Sequence, residues 1–179
     1  MITNIINIIT LSRIVCAILI YLFLYLESHY LIALLLFAAA SFSDFLDGYL
    51  ARKTNSVSVL GEILDPIADK LLIVFVLIGL SVNLDSFLVG FISAVIISRE
   101  IWVAALRDIN SRNNQSEKTK VTFLAKTKTA IQMLAILLYL FGLTINNMMI
   151  LFFADIILII ALLVTIQSGF QYTISTFKK

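Results

Sequence analysis

Four aspartates stand close together in a chain that is otherwise strongly apolar. The stretch SDFLDGYLARKTNSVSVLGEILDPIADK, residues 43–70, contains Asp44, Asp47, Asp65 and Asp69. Carboxylates at such spacing cannot all stay ionised unless a cation compensates their charge. Their oxygens are hard ligands that suit Mg²⁺ or Mn²⁺, and the stretch has no histidine or cysteine that would indicate zinc. The pattern therefore predicts a site for one or two divalent ions.

Two helices must carry these carboxylates, because residues three, four, seven or eight positions apart share one helix face. The first such face consists of Asp44, Asp47, Gly48, Ala51 and Arg52, and the second of Gly61, Asp65 and Asp69. If the two helices form an antiparallel hairpin, the two faces meet, and glycine and alanine leave room beside the acids. The alternative is a salt-bridge network with Arg52, Lys53 and Lys70. Four acids beside small residues favour the metal site.

The composition indicates a membrane protein. Of the 179 residues, 61% are hydrophobic and only 13% are charged, whereas soluble domains carry about a quarter charged residues. A spanning helix needs roughly 20 mainly apolar residues. Six segments qualify, at about residues 8–26, 30–50, 63–82, 87–107, 129–145 and 148–168. We expect an all-α, polytopic integral membrane protein with six transmembrane helices, folded as a single domain over residues 1–179. The alternating Asn and Ile of residues 1–13 predict a short N-terminal amphipathic helix at the interface.

Lysine and arginine are confined to one set of connections. They are absent from the connections near residues 27–30, 83–86 and 145–148. By the positive-inside rule, both termini and the aspartates face the cytoplasm, and we expect the chain in the cytoplasmic membrane. Charged side chains at membrane depth face a bundle interior or a water-filled cavity. We therefore expect one polar cavity that opens to the cytoplasm and is lined mainly by helices two, three and four.

The spacing D-x-x-D-G-x-x-A-R, then eight residues, then G-x-x-x-D-x-x-x-D resembles the motif of the CDP-alcohol phosphatidyltransferase family. The resemblance implies a six-spanning, usually dimeric enzyme that transfers a phosphatidyl group from a CDP-linked lipid to an alcohol and releases CMP. It implies that the four aspartates bind the metal and that Asp69 is also the general base for the acceptor hydroxyl. The residues implied to contact the CDP-lipid are Asp44, Gly48, Ala51, Arg52 and Gly61.

Four cations bear on the acceptor. Arg99 and Arg107 lie eight residues apart on one helix face, and Lys126 and Lys128 begin the fifth helix. Cations beside a cavity favour an anionic acceptor, a phosphate monoester. The alternative is that they are membrane anchors on a solvated face, and for the two lysines both interpretations stay open.

The pattern RE…LR followed by K-x-K-T-x-x-Q-M is similar to the branch of that family whose acceptor is glycerol 3-phosphate. This resemblance implies CDP-diacylglycerol and glycerol 3-phosphate as substrates, membrane lipids as surroundings, a homodimer and no nucleic-acid partner. Thr10 and Arg13 match the T-x-x-R of the same branch, which makes them candidate contacts for the lipid or the nucleotide.

Three other functions stay open. The same chemistry could use another acceptor: phosphatidylglycerol, inositol phosphate or serine. The aspartates could instead form the ion site of a divalent-cation transporter, although transporters tend to hold ions at mid-membrane between inverted repeats, and no repeat is visible here. A non-catalytic lipid-binding bundle is the third. Release of CMP distinguishes the enzyme from the last two.

Overall fold

The computed structural model describes the backbone of residues 2–27, 29–54, 59–119 and 123–178, and their side chains except those of 2–7, 44–54, 59–63, 65 and 116. The chain forms six long helices and, before the fifth, one turn of 3-10 helix at Ser116–Thr119. The helices are α1 (Ile2–Tyr25), α2 (Tyr30–Thr54), α3 (Val59–Asn83), α4 (Phe87–Arg112), α5 (Phe123–Thr144) and α6 (Met148–Phe177). No strand occurs in these ranges.

Five of the helices, α1 and α3 to α6, are long and apolar enough to cross a membrane. The described apolar part of α2, Tyr30–Ser43, is shorter. Each of the six apolar segments predicted from the sequence coincides with its own helix, with one residue beyond the helix end in the first and fifth segments. The prediction of an all-α, polytopic membrane protein is therefore confirmed.

Several helices extend beyond their predicted ends. Helix α1 runs unbroken from Ile2 to Tyr25, so the expected N-terminal amphipathic segment is continuous with the first span rather than a separate helix. The reason is local, since neither proline nor glycine interrupts residues 2–25. Helix α6 has 30 residues and is therefore about 45 Å long. The hydrocarbon core is about 30 Å thick, so the last turns of α6 extend past it.

Tight turns join α3 to α4 and α5 to α6. Asp85 and Asn146 have left-handed backbone conformations, with φ of 44° and 51°, and they reverse the chain within a few residues. The side chains of Ser86 and Asn147 then accept hydrogen bonds from the first free N–H groups of α4 and α6. These turns carry no lysine or arginine, as predicted, and leave the charged helix halves together at the other end of the bundle.

Helix packing relies on small residues. Helix α1 packs against α2 and α3, α4 packs against α3 and α6, and α5 packs against α2, α3 and α6. Alanines that are almost fully buried lie at these contacts: Ala17, Ala33, Ala40, Ala135, Ala154 and Ala161. Small side chains let helix backbones approach closely where lipid supplies little hydrophobic drive between helices. Many leucines, isoleucines and phenylalanines stay exposed on the outside, as a lipid-facing surface requires.

Candidate active site

Charged and polar side chains from five helices meet at one end of the bundle. The N-terminal halves of α1, α3 and α5 contribute Arg13, Asp69 and Lys128, the middle of α4 contributes Arg99, and the C-terminal half of α6 contributes the neutral Tyr172. Side-chain contacts link each of them to another helix. The expectation that polar halves of the helices gather at one end is met.

Asp69 contacts the first helix. Its Oδ1 accepts a hydrogen bond from Nη1 of Arg13 at 2.6 Å, and the carboxylate side chain stays 35% exposed. Arg13 is buried, and so is Thr10 one turn before it. Their predicted contact with lipid or nucleotide remains a prediction. What the structure adds is that Arg13 holds one oxygen of Asp69 while part of the carboxylate stays open.

The remaining predicted metal and CDP-lipid residues lie outside the described side chains. They are Asp44, Asp47, Gly48, Ala51 and Arg52, whose backbone belongs to α2, and Gly61 and Asp65, whose backbone belongs to α3. Among the side chains that are described, no three of the types His, Cys, Asp and Glu come together as metal ligands. Asp69 is thus the one member of the predicted metal set whose surroundings are described.

A cavity of about 590 Å³ lies between α4 and α5. Both helices pack against α3 and α6, which leaves the space between them open. Its charged wall consists of Lys70, Arg99, Glu100, Arg107, Lys126 and Lys128. Over the described side chains, α4 and α5 line it, with only Ser41 from α2 and Lys70 from α3. The expected lining by helices two, three and four stays a prediction, because most of the α2 and α3 acids on which it depended lie outside the described side chains. Sequence reasoning did not foresee that α5 also lines this cavity.

Glu100 joins α4 to α5 inside this cavity. Its Oε1 accepts hydrogen bonds from Nη1 of Arg99, at 2.9 Å, and from Nζ of Lys128. Both cations are buried, and a buried charge is costly unless it is paired. Lys128 is therefore no solvated anchor, whereas Lys126 is exposed at the cavity mouth.

The two predicted arginines share one aromatic ring. The Cζ atoms of Arg99 and Arg107 lie 5.6 Å and 5.3 Å from the ring centroid of Tyr172, within cation–π range. Nη2 of Arg107 donates to the Tyr172 hydroxyl at 3.2 Å, and Nη2 of Arg99 donates to Oγ of Ser168 at 2.9 Å. The prediction that both arginines lie on one helix face is confirmed. Sequence reasoning missed Ser168 and Tyr172, although their four-residue spacing on an apolar helix could have indicated a polar face.

A smaller cavity of about 170 Å³ reaches Asp69. It shares Lys70, Glu100 and Lys128 with the larger cavity. Sequence reasoning considered Lys70 only as a salt-bridge partner for the aspartates, but it borders both spaces. A ligand with an anionic end in the larger cavity could thus bring its other end toward Asp69.

Comparison with known proteins agrees with this geometry. The family model described as CDP-alcohol phosphatidyltransferase matches residues 3–167. A Rickettsia bellii protein named "CDP-diacylglycerol--glycerol-3-phosphate 3-phosphatidyltransferase" is 39% identical over 172 residues, which cover 94% of this chain and 93% of that protein. A Haemophilus influenzae protein of the same name is 38% identical over 152 residues, covering 84% and 80%. The chain belongs to the CDP-alcohol phosphatidyltransferase family.

Proposed function

We propose that this enzyme transfers the phosphatidyl group of CDP-diacylglycerol to glycerol 3-phosphate, giving phosphatidylglycerophosphate and CMP. The observation that carries the proposal is a pair of neighbouring cavities that share lining residues, one walled by cations and the other bordered by Asp69. The relatives reported above, whose printed name contains this donor and this acceptor, support it.

The larger cavity suits a phosphate monoester. Among the described side chains, its wall carries five cations and one acid, a formal charge of 5 − 1 = +4. Arginine and lysine make charge-assisted hydrogen bonds to phosphate oxygens, and a monoester offers more charge than a diester. We assign the acceptor phosphate to Arg99, Arg107, Lys126 and Lys128. Serine lacks a phosphate and phosphatidylglycerol has only a diester, so this cavity favours neither.

Asp69 is the proposed general base at the other end of the acceptor. The acceptor hydroxyl loses its proton to the Asp69 carboxylate, and its oxygen attacks the phosphorus of the phosphatidyl group. The bond from that phosphorus to the oxygen of the CMP phosphate breaks, and CMP leaves. Arg13 holds one carboxylate oxygen at 2.6 Å, which orients the partly exposed group toward the smaller cavity.

We infer that Asp69 binds Mg²⁺ or Mn²⁺ together with Asp44, Asp47 and Asp65. Carboxylate oxygens fit these hard cations, and the Asp69 side chain, which is 35% exposed, borders the smaller cavity. A bound ion would neutralise the diphosphate of the donor and the charge on departing CMP. The contacts of Gly48, Ala51, Arg52 and Gly61 with the CDP-lipid belong to the same proposal.

Release of CMP tests the function. Purified protein in detergent receives CDP-diacylglycerol, Mg²⁺ or Mn²⁺, and one acceptor at a time: glycerol 3-phosphate, phosphatidylglycerol, serine or inositol phosphate. We expect turnover with glycerol 3-phosphate, abolished in Asp69→Asn and retained in Asp108→Asn, whose acid is 58% exposed and pairs with Arg112 one turn further along α4. Turnover with a different acceptor alone would refute the acceptor assignment, and an active Asp69→Asn would refute the proposed base.

We also propose that the cavity end of the bundle faces the cytoplasm and that the enzyme is a homodimer in the cytoplasmic membrane. The lysine-rich connection before α5 supports the orientation, since Nζ of Lys118 donates to the backbone oxygen of Lys178 at 3.1 Å, next to the C-terminus. In intact cells, a membrane-impermeant thiol reagent should label Asn146→Cys and spare Asn114→Cys. The opposite labelling would reverse the orientation. Light scattering in detergent measures the oligomeric state.

A further inference from the structure

The C-terminal part of α6 forms a polar face that the proposed chemistry does not itself use. Thr165, Ser168, Gly169 and Tyr172 are all buried there, at steps of three and four residues. The face continues beyond the predicted end of the helix and lies against α4. Ser168 and Tyr172 contact cavity arginines and stand behind them, not in the cavity wall, whereas Thr165 accepts from Gln132 of α5.

We propose that Tyr172 is a positioning residue that holds Arg99 and Arg107 at the separation an acceptor phosphate requires. This inference rests on the proposed function for the identity of the acceptor. One ring stands 5.6 Å from the Cζ atom of Arg99 and 5.3 Å from that of Arg107. Its hydroxyl also accepts from Arg107. Both guanidinium groups border the same cavity, so the ring sets where two of its five cations stand.

The ring is itself immobilised. Tyr172 is buried with Val103 and Leu106 of α4, and Ala125 of α5 packs against the same cluster. A free arginine populates many rotamers, and ordering two of them at the moment of binding would weaken affinity. A ring fixed by its neighbours pre-orders both arginines before the phosphate arrives.

The surrounding helix face is shaped for this arrangement. A Cβ atom at Gly169 would lie 3.1 Å from Cγ of Arg99, so glycine is what lets this side chain lie flat against α6. Ser168 then accepts from the far end of the same guanidinium. Ser168, Gly169 and Tyr172 on one face of α6 thus together fix the position of the Arg99 side chain.

The competing interpretation is that Tyr172 only packs α4 against α6. The chain contains a matched contact that tests this. Nε1 of Trp102 donates to Oγ1 of Thr173 at 2.9 Å, which also joins α4 to α6 through an aromatic side chain and a hydroxyl group. Trp102 is half-exposed on the outer surface and borders neither of the two cavities. Loss of this contact weakens the helix pair without touching the arginines.

The test compares Tyr172→Phe, Tyr172→Leu and Thr173→Val in CMP-release kinetics with both substrates varied. In Tyr172→Leu we expect the KM for glycerol 3-phosphate to rise about tenfold or more, because two cation–π contacts are lost together. In Tyr172→Phe the rise should be smaller, since the ring and both cation–π contacts remain and only the hydroxyl that accepts from Arg107 is lost. The kcat and the KM for CDP-diacylglycerol should stay within about twofold, and Thr173→Val should leave all three constants unchanged.

Binding of inorganic phosphate gives a readout that does not depend on turnover. Calorimetry on the detergent-solubilised protein should detect phosphate binding to the wild type, retention in Tyr172→Phe and Thr173→Val, and loss in Tyr172→Leu. If the wild type turns over only another acceptor yet this order holds, the proposed function fails and the role of Tyr172 stands. Equal effects of Tyr172→Leu and Thr173→Val would overturn the inference. So would a change confined to the donor KM, or phosphate binding that does not respond to Tyr172. Should Tyr172→Leu fail to fold, the KM for glycerol 3-phosphate in Tyr172→Phe and in Thr173→Val decides: a rise in Tyr172→Phe alone supports the inference, and equal values overturn it.

Discussion

Replacing Glu100 by glutamine removes the acid that stands alone among the described charged side chains of the larger cavity. In the wild type its Oε1 accepts from Arg99 and Lys128, two buried cations on different helices. The substitution takes the formal charge of the wall from 5 − 1 = +4 to +5. The same change therefore has opposite consequences for the empty protein and for the protein with an anion bound.

The loss of stability is estimated from the burial of the pair. Removing one partner of a fully buried ion pair costs about 3–5 kcal/mol. Glu100 keeps 22% exposure, and the glutamine oxygen still accepts one hydrogen bond. We therefore expect the free energy of unfolding to fall by about 2 kcal/mol, which lowers Tm by roughly 5 °C for a chain of this size. A phosphate ion should recover most of this loss, because it supplies the missing negative charge.

Thermal unfolding with and without inorganic phosphate measures both effects. The control is Asp108→Asn, on the same helix, whose carboxylate also pairs with an arginine but is largely exposed. Exposed pairs contribute about 0–1 kcal/mol, so this variant should change Tm little and respond to phosphate like the wild type. The reasoning is refuted if Glu100→Gln is as stable as Asp108→Asn, or if phosphate raises its Tm no more than that of the wild type.

Three further substitutions probe other parts of the site and the bundle. Lys70 borders both cavities, and one charged hydrogen bond contributes about 1.5–3 kcal/mol. In initial-rate assays, Lys70→Gln should therefore raise the KM for glycerol 3-phosphate about tenfold. An unchanged KM would exclude Lys70 from the acceptor site. In Gly169→Ala the new Cβ atom would lie 3.1 Å from Cγ of Arg99 and displace that side chain. The KM for glycerol 3-phosphate should then rise about threefold. Kinetics like those of the wild type would contradict this. Tyr139→Phe removes the hydrogen bond to the Asp155 carboxylate between α5 and α6. Neither residue lines the two cavities, so the free energy of unfolding should fall by about 1.5–3 kcal/mol while kcat/KM is retained. A loss of activity without a loss of stability would contradict that assignment.

The helices and the chemical class could be predicted because both depend on local sequence. An apolar run of about 20 residues forms a membrane-spanning helix regardless of which other helices pack against it. The motif of eight fixed aspartate, glycine, alanine and arginine residues within residues 44–69 likewise identified the family, and the family match then confirmed it. The arginines at positions 99 and 107 share a face because helical periodicity alone puts them there.

The partners of these residues could not be predicted in the same way. Which helices touch depends on where small side chains permit close approach, a property of the whole bundle rather than of one segment. That packing brings Arg13 to Asp69, across 56 residues of sequence, and joins Lys128 to Glu100 across 28. It also makes α5 a wall of the larger cavity.

The sequence by itself thus determined the membrane-spanning helices, the family and which cations are candidates for binding an anion. Only the tertiary structure decided how those cations are held. Glu100 pairs with two of them between two helices, and the Tyr172 ring contacts two of them from α6. Tyr172 lies beyond the end that the apolar pattern predicts for that helix. The physical reason is that hydropathy and periodicity act along one helix, whereas charge pairing and ring contacts form between helices that packing brings together.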